Sequence, residues 1–280
     1  MINEIDNLKR THFCFIVNSD LSPIDNHKIN SYKRKLWAGK SNYNEIQIDE
    51  NANLIFNESN HILNKTIVIN KQDYFLFITG DFYDRYELDS KTIQKNKIKD
   101  LFVSLNGSFN AIYYDKNKKL LTVYNDIIGL KKVYYGQLDK TILISSLLSI
   151  FKDKRINKEF VKEFIFFRLA LDYNTQYEGV YTVPPDGFVY IKIEKQNYIT
   201  QPYLRPIAKK ERKSKEWIEE AISIYHDVFR LVEQNRKDKT IYGTLTGGSD
   251  TRILYNMFLL YDKSMVKEFF PLGSSGKFSG

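Results

Sequence analysis

The sequence predicts an α+β chain of two modules: a strand-rich β-sandwich over residues 1–205, a linker at 206–213, and an incomplete doubly wound α/β domain at 214–280. Three observations predict it. Up to about residue 205, short β-branched and aromatic runs alternate with polar turns, as antiparallel sheets require. Residues 201–213 concentrate proline and charge, which marks a boundary. Beyond it the order becomes helix, strand, glycine turn, helix, strand, the way a parallel α/β sheet begins.

In chain order, 13–18 reads as the first strand, followed by strands at 46–48, 66–70 and 74–79. Residues 105–146 read as an antiparallel meander with turns at 115–118 and 137–140. Phe160, Phe164, Ile165 and Phe167 fall at near-helical spacing and predict a helix over about 157–170. A turn at 177–187 and a strand at 188–193 close the first module. Ser214 then caps a helix whose apolar stripe is Trp217 or Ile218, Ala221, Ile222, Tyr225, Val228, Phe229 and Val232. His226 lies one residue off that stripe and reads as a surface or boundary group. A strand at 240–245 enters the glycine turn and a helix at 250–262 leaves it, with Ile253, Leu254, Met257, Phe258 and Tyr261 at helical spacing. Residues 266–272 read as the next strand.

Composition narrows the function classes. At 280 residues with 42% hydrophobic content, the chain can bury more than one core. No apolar run approaches ~18 residues and residues 1–10 are polar and charged, so neither a membrane span nor a secretory signal is expected. One cysteine excludes an internal disulfide framework, and a cytoplasmic address is the expectation. The net charge of +8 arises from lysines interleaved with acids. Even the densest basic run, 209–213, contains Glu211, so no nucleic-acid partner is expected.

The glycine turn carries the chemistry. Thr246, Gly247, Gly248, Ser249, Asp250 and Thr251 lie between strand and helix. Adjacent glycines let the backbone approach an anion, and the first N–H groups of a helix add donors at the positive end of its dipole. A pyrophosphate fits such a ring of donors and hydroxyls, with Asp250 holding the accompanying magnesium ion. No lysine follows the glycines, which separates the run from the Walker A pattern. As bare local structure, the same run is a strand-to-helix turn capped by Asp250. It resembles the SGGxDS signature of the ATP-pyrophosphatase loop of asparagine synthetase, β-lactam synthetase and related adenylating enzymes, with both serines replaced by threonine. That resemblance implies ATP and Mg2+ as cofactors and a small-molecule or peptide carboxylate as the substrate that is adenylated.

A second block resembles the same family. Leu105, Gly107, Phe109, Asp115, Asp126, Gly129, Tyr134, Tyr135 and Ser145 fall in the order of the pattern LxGxFAxxxxD…RDxxGxxPLYY…SE of class II glutamine amidotransferase domains. The resemblance implies an amidotransferase-like, Ntn-hydrolase-like β-sandwich for residues 1–205 and the N-terminal part of a nucleotide-binding ATP-pyrophosphatase domain for 214–280. Class II enzymes attack with an N-terminal cysteine whose own α-amine is the base. This chain begins Met1, Ile2, Asn3, and its one thiol, Cys14, lies inside a predicted strand, where it reads as core rather than nucleophile. Thr79, Gly80 and Asp81 match the glutamine-site segment NGEIYN with its oxyanion-hole Asn lost and its Glu shortened. No HRGPD equivalent occurs between residues 20 and 60. These remnants imply a retained scaffold without glutaminase activity.

In asparagine synthetases the adenylating domain continues well beyond the stretch matched here. The chain is therefore expected to be a fragment, a relic, or a half-enzyme completed by a C-terminal polypeptide or by a homo-oligomer. Two readings of function stay open: an asparagine synthetase-like ATP-dependent amide-forming ligase, and a non-catalytic scaffold or pseudoenzyme that keeps the amidotransferase-like fold.

Overall fold

Side-chain alternation along β1 (Phe13–Asn18) organises the first unit. Phe13, Phe15 and Val17 face one buried layer, while Cys14 and Ile16 face another. Described are residues 11–36, 43–57, 64–82, 98–195, 197–202, 214–235, 241–246, 248–261 and 266–271, in a computed structural model. The chain divides into two units, Met1–Arg205 and Pro206–Gly280; the linker expected at 206–213 lies outside the described residues.

β1 pairs antiparallel with β3 (Ala52–Phe56) on one side and β9 (Thr141–Ser145) on the other. The sheet is completed by β2 (Asn44–Asp49), β8 (Tyr134–Leu138) and β10 (Val180–Thr182), in the order β10-β8-β9-β1-β3-β2. A second antiparallel sheet runs β12-β11-β7-β6-β5-β4. Its members are β4 (Asn64–Asn70), β5 (Tyr74–Phe82), β6 (Gly107–Asp115), β7 (Leu120–Asn125), β11 (Gly187–Lys192) and β12 (Asn197–Pro202).

Between the sheets Phe13, Phe15 and Phe56 meet Phe75, Phe77 and Tyr114, with Phe13 and Phe77 in edge contact at 5.1 Å. Each such side chain stabilises the fold by about 1.5–3 kcal/mol on burial. The outer faces are covered by helices. Ile29, Tyr32 and Leu36 of α1 (Asn26–Leu36) pack over Cys14, Ile16 and Ile55. Leu101 and Phe102 of α2 (Ile98–Ser104) pack with Tyr124 and Phe188. The order of layers is helix, sheet, sheet, helix.

The expected meander at 105–146 is corrected: β6 and β7 belong to one sheet, β8 and β9 to the other. The turn after Asp126 carries the chain across. The expected helix at 157–170 is shorter, α3 (Lys158–Phe167), and none of its residues is buried. Asn157 Oδ1 accepts from the N–H groups of Glu159 and Phe160 and starts it. Arg168, left-handed at φ 59°, ends it.

In the second unit α4 (Ser214–Asn235) precedes β13 (Ile241–Leu245), α5 (Ser249–Tyr261) and β14 (Val266–Pro271). β13 and β14 pair in parallel, which makes β13, α5 and β14 one crossover unit. Phe229 of α4 meets Phe258 of α5 edge-on at 4.7 Å. The expected apolar stripe of α4 is corrected in its role: Phe229 is buried, but Trp217, Ile218, Ile222 and Val228 are exposed. No described helix is long and apolar enough to cross a membrane.

Candidate functional site

The residues singled out by the sequence gather at two places, one in each unit. In the first, a cavity of about 190 Å³ opens where the chain enters β1. Its wall takes Thr11 and His12 from the lead-in to β1, Thr79 from β5, Asn110 from β6, Lys131 from the β7–β8 connection and Ser146 from beyond β9. Phe13 N–H donates to Ser146 Oγ at 2.9 Å, and Ser146 N–H returns a bond to the Phe13 carbonyl at 3.1 Å. Asn57 fixes His12 from the other side: its side-chain carbonyl accepts from His12 N–H, and its own N–H donates to the His12 carbonyl.

Thr79 is buried, and its hydroxyl lies 3.2 Å from that of Thr66 across β4 and β5. Gly80 is there for close approach. A Cβ on Gly80 would overlap the Ser108 carbonyl on β6, and a Cβ on Gly107 would overlap the Asp81 carbonyl on β5. Asp81 forms an ion pair with Lys131 at 3.5 Å. The three remnant positions thus share one stretch of β5, with Thr79 on the wall and Asp81 holding a wall residue.

Two residues that sequence reasoning missed connect this wall. Buried Asn110 donates through Nδ2 to Asn125 Oδ1 at 3.0 Å and to the Lys131 carbonyl at 2.8 Å. Asn125 donates in turn to the Val183 carbonyl at 3.2 Å. The available signal was an amide inside an otherwise apolar strand, which needs buried partners. Asp126 Oδ1 accepts from Ile128 N–H at 3.0 Å and Gly129 N–H at 2.9 Å, a side-chain-closed turn. Gly129 has φ 63°, where any larger side chain would also press on Pro185. The Asp126 and Gly129 motif therefore shapes the turn that delivers Lys131 to the cavity.

In the second unit, Thr246, Gly248, Ser249, Asp250 and Thr251 link β13 to α5; Gly247 lies outside the described residues. The helix begins at Ser249, which puts Asp250 in its first turn and corrects its expected capping position. The hydroxyls of Thr246 and Thr251 lie 3.0 Å apart, and Gly248 N–H donates to Thr246 Oγ1 at 3.2 Å. Thr251 Oγ1 also accepts from Thr246 N–H at 3.2 Å. The two hydroxyls thus close the loop upon itself. Asp250 is near the Ser249 hydroxyl, and no group of three His, Cys, Asp or Glu suited to a metal occurs among the described residues.

Residues 68–204 match the glutamine amidotransferase domain family. The match contains Thr79 to Asp81, the Asp126 turn and the Tyr134–Tyr135 strand, and it stops before the second unit. No curated protein matches the chain. Among solved structures, a glutamine phosphoribosylpyrophosphate amidotransferase from B. subtilis, complexed with ADP and GMP, is similar at 11% identity with a TM-score of 0.43. The similarity covers 92% of this chain and 65% of that one, so this chain spans less than two thirds of that enzyme's length.

In the first unit the thiol is sealed away. Cys14 is fully buried on the α1 side of β1, and burial pushes its pKa far up. The residues of this strand's entry that reach the cavity are Thr11 and His12.

Proposed function

We propose that the chain is an ATP-dependent amide-forming ligase of the asparagine-synthetase type, whose amidotransferase-type domain serves as scaffold and does not hydrolyse glutamine. One observation carries the reading: the Thr246–Thr251 clasp holds Gly248 and the first turn of α5 at the carboxyl end of β13. That is the end of a parallel strand at which α/β sheets take ligands. The fit to a phosphate rests on Gly248, where a Cβ would stand 3.3 Å from Thr246 Oγ1 and crowd the turn. The first-turn N–H groups of α5 would hold the pyrophosphate, and Asp250 would hold magnesium, the phosphates and water completing its shell. When bound, ATP would supply the activating adenylyl group for a carboxylate. With Cys14 buried, the nitrogen would come from ammonia or from an amine within the substrate.

A scaffold role is the second reading, and the same clasp favours it, because Gly248 N–H and both threonine hydroxyls are bonded within the loop. Hydrogen exchange separates the two. Mg-pyrophosphate or Mg-ATP should protect the amides of 246–252, and Asp250→Ala should remove that protection. Unchanged exchange in the unmodified chain would leave the scaffold reading standing.

A further inference from the structure

The cavity at the entry to β1 has no part in the ligase chemistry proposed above, yet its wall carries a charge of one sign. Lys131 and Lys132 both line it, and none of the described residues lining it is Asp or Glu. Consecutive side chains of a strand point to opposite faces. The two lysines can serve one wall because they precede β8, in the irregular stretch that follows the Asp126 turn. Buried Asn110 donates to the Lys131 carbonyl at 2.8 Å and so fixes that stretch. Ser146 Oγ accepts from Phe13 N–H at 2.9 Å, which leaves its own proton to donate.

Ligand chemistry follows from this charge pattern. Asp81 reaches Lys131 from outside the lining set, at 3.5 Å, which is long beside the ~2.7–2.9 Å of a strong charge-assisted hydrogen bond. Lys131 is therefore shared with Asp81 and not consumed by it. Two lysines against one carboxylate leave one positive charge beside a wall that includes buried Thr79 and Asn110, where charge is screened less than on an open surface. An amino acid would bring its ammonium group next to those lysines with no lining carboxylate to receive it. At about 190 Å³ the cavity is also smaller than the ~300–1,000 Å³ that drug-sized ligands occupy. We propose that it binds a small oxyanion, a phosphate or a simple carboxylate, held by Lys131, Lys132 and the Ser146 hydroxyl. The site lies wholly in the first unit, so it stands whether or not the loop after β13 takes pyrophosphate.

Residue-resolved amide shifts of the 280-residue chain, titrated at constant ionic strength, test it. Sodium phosphate or sodium acetate, exchanged against chloride, should shift the amides of 131–132 and 146–147 saturably at millimolar concentration. The tighter of the two identifies the oxyanion, and glutamine should bind at least about fivefold more weakly than it. Lys132→Gln, at an exposed position, should weaken anion binding by about fivefold with unchanged circular dichroism. Asp81→Asn should tighten it by about threefold, because Lys131 then has no competing carboxylate. A merely structural ion pair would give the opposite result by loosening the wall. Shifts that chloride reproduces, an affinity indifferent to Lys132→Gln, or a folded Asp81→Asn chain that binds no more tightly overturns the proposal. Glutamine binding more tightly than either anion overturns it too, in favour of an amino-acid pocket. Shifts at 246–252 report on the other loop, so failure here is distinguishable from failure of the ligase reading.

Discussion

Asn110 on β6 donates through Nδ2 to Asn125 Oδ1 on β7 at 3.0 Å, and the same nitrogen donates to the Lys131 carbonyl at 2.8 Å. Both asparagines are buried, so the pair is shielded from bulk water. Asn110→Ala would strand Asn125 Oδ1 and the Lys131 carbonyl, at a cost of about 1–3 kcal/mol. The expected result is a lower urea midpoint with an unchanged slope. An unaltered midpoint would mean that water replaces the amide without loss.

Gly80→Ala should be more damaging than its size suggests. The added Cβ meets backbone atoms of Ser108 and Phe109, which cannot rotate aside, so β5 and β6 must part. Overpacking of this kind costs about 1–3 kcal/mol or more. Gly179→Ala is the control: its Cβ would find only Lys154 Nζ at 3.5 Å, leaving the left-handed φ of 66° as the main cost, about 1–2 kcal/mol. Thermal unfolding of the two variants should rank Gly80→Ala below Gly179→Ala, and the reverse order would refute the close-approach account.

Much of this fold was legible because β-branched and aromatic runs between turn residues mark strands even where both faces are covered. β1, β5, β6, β7 and β11 are such runs, and the turn from β13 into α5 is marked by its glycines. β3 was not legible: Ala52 to Phe56 are buried on both faces as β1 is, but the run is short and Asn53 interrupts it. α1 had a signal in Ile29, Tyr32 and Leu36, diluted by four basic residues between and beside them. Sheet membership of β8 and β9 depends on which way the Asp126 turn throws the chain, a tertiary fact. The same holds for the cavity: motif spacing drew attention to Cys14, but the point at which β1 emerges from its sheet puts Thr11 and His12 there instead. Asn110 sat unread inside a matched motif because its partners are distant in sequence.

Alkaline pH should unfold the first unit through its buried and half-buried acids. Burial raises the Cys14 thiol above its ordinary 9.0 and pushes Tyr32, Tyr113 and Tyr198 from 10.0 up to about 12. Between the unfolded and folded pKa values the unfolded chain holds fewer protons than the native one, so stability falls as pH rises. The contribution is complete below about pH 9 and is lost progressively through about pH 12. Melting temperature should therefore decline steadily above pH 9. Cys14 should resist an aromatic disulfide reagent in native buffer and react at once in urea. Rapid native labelling would show that β1 opens far more readily than its packing implies.

Thr251 offers the sharpest test of the loop between β13 and α5. Its hydroxyl is within reach of Thr246 N–H, Thr246 Oγ1, the Thr246 carbonyl and the Gly248 carbonyl, at 3.0–3.3 Å. The hydroxyl accepts from Thr246 N–H and has a single proton to donate, so its contacts with the two carbonyls and with Thr246 Oγ1 are alternatives, and together they hold the turn shut. Valine keeps the shape and loses every one of them, while serine keeps the oxygen. Thr251→Val should raise amide exchange at Thr246 and Gly248 by about fivefold, equivalent to about 1 kcal/mol of lost hydrogen bonding. Thr251→Ser should stay near the unmodified rate. The bond from Gly248 N–H to Thr246 Oγ1 then decides between clasp and cradle. An incoming pyrophosphate must displace that hydroxyl to use the N–H, so Thr246→Ala should increase protection by Mg-pyrophosphate if the loop binds anions, and should leave exchange indifferent to pyrophosphate if the clasp is only a structural turn.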